Sequence, residues 1–119
     1  MIEFNTNWQP TTVVFIESLV WSRQDVTIIF LCQEREGSKE WPNRGEAFVE
    51  VEVQFKNCTQ FKLNFGDTYL QPVLGFDILD ISVNAWESIN FQIEDYENDC
   101  IGFLCEAIEV LHVIPERKI

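Results

Sequence analysis

Gly45-Glu46-Ala47-Phe48-Val49-Glu50-Val51-Glu52-Val53-Gln54-Phe55 is the stretch on which the reading of this chain turns. From Val49 to Phe55 apolar side chains alternate with Glu50, Glu52 and Gln54, which places one set on a core and the other, acidic, in water. A helix does not sustain that pattern, since its side chains return to one face every three or four residues. The stretch is a half-buried strand. Toward the C-terminus, Lys56, Asn57, Cys58 and Thr59 read as a turn, after which Phe61, Leu63 and Phe65 alternate with Lys62 and Asn64. The two runs are expected to form a hairpin, with Lys62 near the row of Glu side chains.

Upstream, Thr11 to Trp21 and Asp25 to Glu34 form a second pair of strands joined through Ser22, Arg23 and Gln24. Val26 to Cys32 is apolar on both faces, as expected of a central strand covered on two sides. The polar segment Arg35 to Arg44 reads as a long hairpin loop, with Trp41 exposed among Lys39, Glu40, Pro42 and Asn43. Downstream, Gly66, Asp67, Pro72 and Gly75 punctuate the chain, and Phe76 to Val83 resumes strand character. Asp77 and Asp80 break its alternation, so a bulge is expected that sends Phe76 and Ile78 to one side and Leu79 and Ile81 to the other. Ile89, Phe91 and Ile93 make a further strand. Cys100 to Ile114 reads as strand from its β-branched content, with a short helix as the alternative over residues 104–112. The fold class is therefore mainly β: a single domain over residues 1–119, an antiparallel meander of about seven or eight strands that forms a sandwich or a partly open barrel.

With 46% hydrophobic residues, ten Phe and four Trp, the chain has enough apolar surface to offset the entropy of ordering it. Eight Lys and Arg stand against twenty Asp and Glu, a net charge of −12. That field repels phosphate backbones and anionic headgroups, which argues against nucleic acid and membrane surfaces, and it speeds encounter with a basic protein. Met1 to Asn5 lack the basic and apolar regions of a secretory signal, and Val13–Ile16 and Ile28–Cys32 are too short to span a bilayer. A cytoplasmic location is expected. Cys32, Cys58, Cys100 and Cys105 contain no CxxC pair and read as buried thiols.

The sequence offers little for catalysis. His112 is the only histidine and sits in an apolar run, no GxSxG elbow accompanies it, and the glycines stand singly. The pool of Asp77, Asp80, Glu87 and Glu94 singles out no carboxylate pair. Asp95, Glu97, Asp99 and Glu106 match part of a calcium-loop register, but Cys100 stands where the sharp turn needs Gly. A non-enzymatic chain without cofactor or metal is expected. Its candidate binding residues are the acidic strand face (Glu46, Glu50, Glu52), the acidic turn (Asp95, Glu97, Asp99) and the aromatic sites Trp41 and Trp86 with Glu87. Tryptophan is enriched among interface hot spots, and Trp8 also lies where burial is not guaranteed.

Phe76-Asp77-Ile78-Leu79-Asp80-Ile81-Ser82, followed by Ala85-Trp86-Glu87, resembles the Asp-rich strand and Trp-Glu element of small all-β immunity proteins from bacterial polymorphic toxin systems. The resemblance spans about Gly45 to Val110. It implies non-catalytic neutralisation, in which an acidic surface occludes a toxin, often a nuclease with a basic cleft. Two other readings stand beside it: a small-ligand or calcium-binding β-barrel whose Phe and Trp residues line a pocket, and an oligomer-forming role through exposed strand edges.

Overall fold

The alternating run becomes β3 (Phe48–Lys56), with Val51, Val53 and Phe55 buried on one face and Glu50, Glu52 and Gln54 half-buried on the other. It lies in a computed structural model that describes residues 8–34, 40–66, 69–82 and 89–118. One antiparallel sheet has the order β5 (Gln71–Pro72), β1 (Val13–Ser22), β2 (Asp25–Cys32), β3, β9 (Ala107–Arg117). A second has the order β4 (Thr59–Leu63), β8 (Ile101–Cys105), β7 (Phe91–Asp95), β6 (Phe76–Asp80). A 3₁₀ turn, Pro10–Thr12, precedes β1. The sheets pack as a sandwich and do not close into a barrel. Among the described residues no helix is long and apolar enough to cross a membrane.

The expected hairpin of β3 with β4 does not form. Both edges of β3 are occupied, by β2 and β9, so the chain beyond Lys56 must leave the sheet. It turns at Asn57, whose φ of 54° is left-handed, and enters the opposite sheet as β4 beside β8. The return strand does the same at Glu106, between β8 and β9, where the Glu106 N–H donates to Lys56 O at 2.9 Å. The result is one long ribbon folded over at a corner, a recurrent way for strands to switch sheets. Asn57 Nδ2 donates to Glu106 Oε2 at 3.1 Å, and the Asn57 N–H donates to Asp25 Oδ1 at 3.1 Å, tying the corner to the β1–β2 hairpin. Lys62 accordingly lies far from the Glu row and pairs with Asp99.

Two further expectations change. β6 pairs with β7 without a register shift, so Asp77 and Leu79 stay on the outer face while Phe76 and Ile78 face the core, and no bulge intervenes. Residues 104–112 are strand throughout except at Glu106. Pairing with β3 and β4 supplies this segment with backbone partners that a helix would have to find internally.

The core between the sheets is aromatic. Phe30, fully buried, touches Trp8, Phe55 and Phe76, while Phe55, Phe103 and Phe61 continue the chain of rings to Trp21. All four cysteines are free and buried; Cys58 and Cys105 face one another there, and that contact together with burial raises the Cys105 thiol. A smaller cluster, Val14, Phe15, Leu31, Phe48 and Leu70, sits on the other face of the five-stranded sheet. It explains why Val26 to Cys32 is apolar on both faces: that end of β2 is covered twice.

β9 is an edge strand, with Leu111, Val113 and Ile114 exposed. Pro115 and the left-handed Glu116 interrupt its end, features that oppose edge-to-edge pairing. The next residue closes an ion cluster: Arg117 donates from both terminal nitrogens to Glu17 and from one of them to Glu50. The hydrogen bond from Arg117 holds the Glu17 carboxyl below its ordinary 4.5, against the opposing effect of burial. A carboxyl lowered in the folded state contributes stability that is full above about pH 4.5 and is lost as pH falls through the lowered value. Arg117→Met leaves Glu17 and Glu50 facing one another without a cation. It is expected to destabilise by about 1–2 kcal/mol at pH 7. The deficit should shrink as the Glu17 carboxyl is protonated, which urea titrations of the two proteins at pH 7 and pH 3.5 would measure.

Candidate protein-binding surface

The acidic strand face is less available than its sequence suggests. Glu50 is bound by Arg117 and only 16% of its side chain is exposed. Glu52 is half-buried between Ile29 on β2 and His112 on β9, an exposed residue of the edge strand. Glu46 is exposed in the loop before β3, its N–H donating to Asn43 O at 3.2 Å. The three carboxylates therefore do not present one continuous surface.

Trp41 is half-buried rather than exposed. Its indole N–H donates to Gln33 O at 2.5 Å and its ring packs on the smaller apolar cluster. Gln33 holds the loop by donating to Asn43 O at 2.9 Å and accepting from the Asn43 N–H at 2.7 Å. Polar neighbours in sequence concealed a ring needed to cover Val14, Phe15, Leu31 and Phe48. Trp8 is buried, and Trp86 and Glu87 lie outside the described residues. Among the described residues the exposed tryptophan is instead Trp21, at the end of β1, stacked on Phe61 at 4.8 Å. Its place beside the Arg23-Gln24 turn was the signal for it, since the second sheet has little to cover at a hairpin tip.

The acidic turn divides. Asp95 is withdrawn from the surface, being 1% exposed. Its Oδ1 accepts from the Gly75 and Glu97 N–H groups at 3.2 and 3.3 Å, and its Oδ2 from the Cys100 N–H at 3.4 Å and the Cys100 thiol at 3.0 Å. Burial, and then the Asp95 carboxylate, push that thiol up to about 12. Gly75 is needed for this approach: a Cβ there would lie 2.6 Å from Glu97 N and 2.8 Å from Asp95 Oδ1. Glu97 and Asp99 remain exposed, Asp99 paired with Lys62, and Tyr96 between them and Asp95 is 61% exposed. The calcium register is not assembled, because Asp95 turns inward, Asp99 meets Lys62 and Glu106 meets Asn57 at the corner. No group of three or more His, Cys, Asp or Glu converges among the described residues.

What does assemble is a row across the outer face of the four-stranded sheet. Asp77 on β6 stands directly opposite Glu94 on β7, Glu94 opposite Gly102 on β8, and Gly102 opposite Lys62 on β4. The Asp77 carboxylate accepts from the Ile78 N–H at 2.8 Å, and neither Asp77 nor Glu94 has an ion-pair partner among the described residues. Gly102 leaves a shallow depression of about 320 Å³ beside Glu94, bordered by Lys62, Gln92, Tyr96, Asp99 and Leu104. Sequence alone could not single out Asp77 and Glu94, because their proximity depends on the β6–β7 register. No protein-family model, curated protein or solved structure matches this chain.

Proposed function

We propose that this chain is a non-catalytic module that binds a basic protein through the outer face of the four-stranded sheet and the β7–β8 turn. The observation that carries the reading is the Asp77–Glu94 pair. Like charges directly opposite on neighbouring strands oppose folding, and a cationic side chain brought by a partner relieves that repulsion. The depression over Gly102 gives such a side chain room, and the exposed ring of Tyr96 offers it a flat apolar and cation-binding neighbour. The net charge of −12 supports fast encounter with the same class of partner. Neutralisation of a basic toxin by an immunity protein is the biological setting this reading suggests.

The test is titration calorimetry against a purified small basic nuclease, at low and at moderate salt. Binding should weaken by about tenfold or more as salt rises from 0.05 to 0.3 M, because exposed charges are screened. Asp77→Lys combined with Glu94→Lys should weaken it by at least a further tenfold, whereas Glu52→Lys should leave it nearly unchanged. Binding that ignores both salt and the double reversal would remove this face as the site.

A further inference from the structure

Two of the buried cysteines stand opposite one another where the long ribbon folds over. Lys56 is opposite Ala107 at the end of the β3–β9 ladder, and Thr59 is opposite Leu104 at the start of the β4–β8 ladder. The same register, carried through the corner, sets Cys58 against Cys105. The Cys105 carbonyl accepts from the Asn90 N–H at 3.0 Å on the β7 side, and the Cys58 N–H donates to Gln24 O at 2.7 Å. Both backbones thus bond elsewhere. That marks a non-hydrogen-bonded position, at which opposed residues lie closest, roughly 4.5 Å apart at Cα. A disulfide spans about 4.4–6.8 Å at Cα.

Both side chains turn to the core. Cys58 is 5% exposed and Cys105 fully buried, and both belong to the cluster between the sheets. The Cys58 thiol donates to Phe55 O at 3.3 Å and contacts Cys105; that contact, and then burial, raise the Cys105 thiol. The other two cysteines are placed differently. Cys100 donates its thiol to Asp95 Oδ2 at 3.0 Å, and burial first and that carboxylate second push it up to about 12. Cys32 stands opposite Val13 and Val49, and burial pushes its thiol up to about 11.

We propose that Cys58 and Cys105 are a peroxide-responsive thiol pair that closes into a cross-strand disulfide at the corner between the sheets. Cys58, at the rim between exposed Asn57 and Thr59, reacts first. Its sulfur attacks one oxygen of hydrogen peroxide, the O–O bond breaks, and the thiol proton leaves with the other oxygen as water, so that Cys58 becomes a sulfenic acid. The Cys105 sulfur then attacks the Cys58 sulfur, the S–S bond forms, and the hydroxyl leaves with the Cys105 proton as a second water. Two thiols lose two electrons and one peroxide gains them. All of β4 to β8 lies between the two cysteines, so the bond closes the whole four-stranded sheet into a covalent ring. Such a ring stabilises the fold by restricting the unfolded chain. The pair lies on the core side and does not depend on the acidic outer face.

The test treats the full chain with hydrogen peroxide and then alkylates it with iodoacetamide in denaturant. Two of the four thiols should be protected, and digestion without reductant should release a linked peptide whose fragmentation places the bond between Cys58 and Cys105. The oxidised chain should melt roughly 10 °C above the reduced one, a gain that dithiothreitol reverses. Cys58→Ser should leave its three remaining thiols open to iodoacetamide after the same treatment. Four alkylated thiols after peroxide, a bond to Cys32 or Cys100, or an oxidised chain that melts no higher than the reduced one would each overturn the assignment. The mapping on the unmodified chain decides the matter even where Cys58→Ser folds poorly.

Discussion

Phe30→Ala should lower the stability of this domain by about 3–5 kcal/mol, the largest effect expected of any single substitution in the core. Phe30 lies on β2 at the middle of the aromatic network, with no exposed surface, and contacts Trp8 at 5.4 Å, Phe76 at 4.8 Å and Phe55 edge-on at 6.3 Å between ring centroids. Its neighbours come from the segment before β1, from β3 and from β6, so both sheets lose a shared contact when the ring is removed. They cannot all collapse into the space, because Phe55 and Phe76 are each held by a strand register. Domains of this size are stable by about 5–15 kcal/mol, so the variant would be close to its unfolding threshold. Guanidinium titration should show the midpoint shifted down with little change in slope, and thermal melting a fall of roughly 10–20 °C. A loss below about 1 kcal/mol would mean that the packing around Phe30 is far looser than its contacts indicate.

Asp95→Ala is expected to cost about 3 kcal/mol, by a different mechanism. The Asp95 carboxylate gathers the N–H groups of Gly75, Glu97 and Cys100, which come from the turn before β6 and from the β7–β8 connection. Alanine leaves these donors without their acceptor inside a buried site, and unpaired buried donors are more costly than the bonds themselves are stabilising. Asp95→Asn separates the contributions. Its remaining oxygen can still accept from Gly75 and Glu97, while its amide meets the Cys100 N–H donor to donor, so about half the loss should return. Urea denaturation of the two variants at pH 7 provides the comparison. Equal stability of Asp95→Ala and the unmodified chain would show that water readily replaces the carboxylate.

The two variants sit on opposite sides of a line between what local pattern encodes and what only packing brings together. Alternation alone determined that Val51, Val53 and Phe55 face a core, that Thr11 to Glu34 forms a strand pair, and that Phe91 and Ile93 lie on a strand. The doubly apolar run Val26 to Cys32 likewise announced a central strand, although only its Leu31 end is covered on both faces while Thr27 and Ile29 are half-buried, and the four scattered cysteines announced buried thiols. These features depend on the period of side chains along one strand, and a strand carries its period with it wherever it is placed.

Pairing was not legible in that way. A run of alternating residues says which side chains share a face but not which strand lies beside it, and so β3 and β4 read as hairpin partners although Asn57 carries the chain over a corner into the other sheet. The same limit hid the candidate site. Asp77 and Glu94 are 17 residues apart and become neighbours only through the β6–β7 register, while Arg117 reaches Glu17 across 100 positions and takes Glu50 out of the acidic face. Asp95 and Trp41 were misplaced because polar surroundings in sequence suggest water, whereas in the fold one carboxylate is needed to bind three amides and one indole to cover a second apolar cluster. The sequence by itself determined an acidic β-domain rich in aromatic core residues; tertiary structure alone decided which acids remain unpaired, because neutralising an acid requires a cation that only long-range strand pairing can deliver.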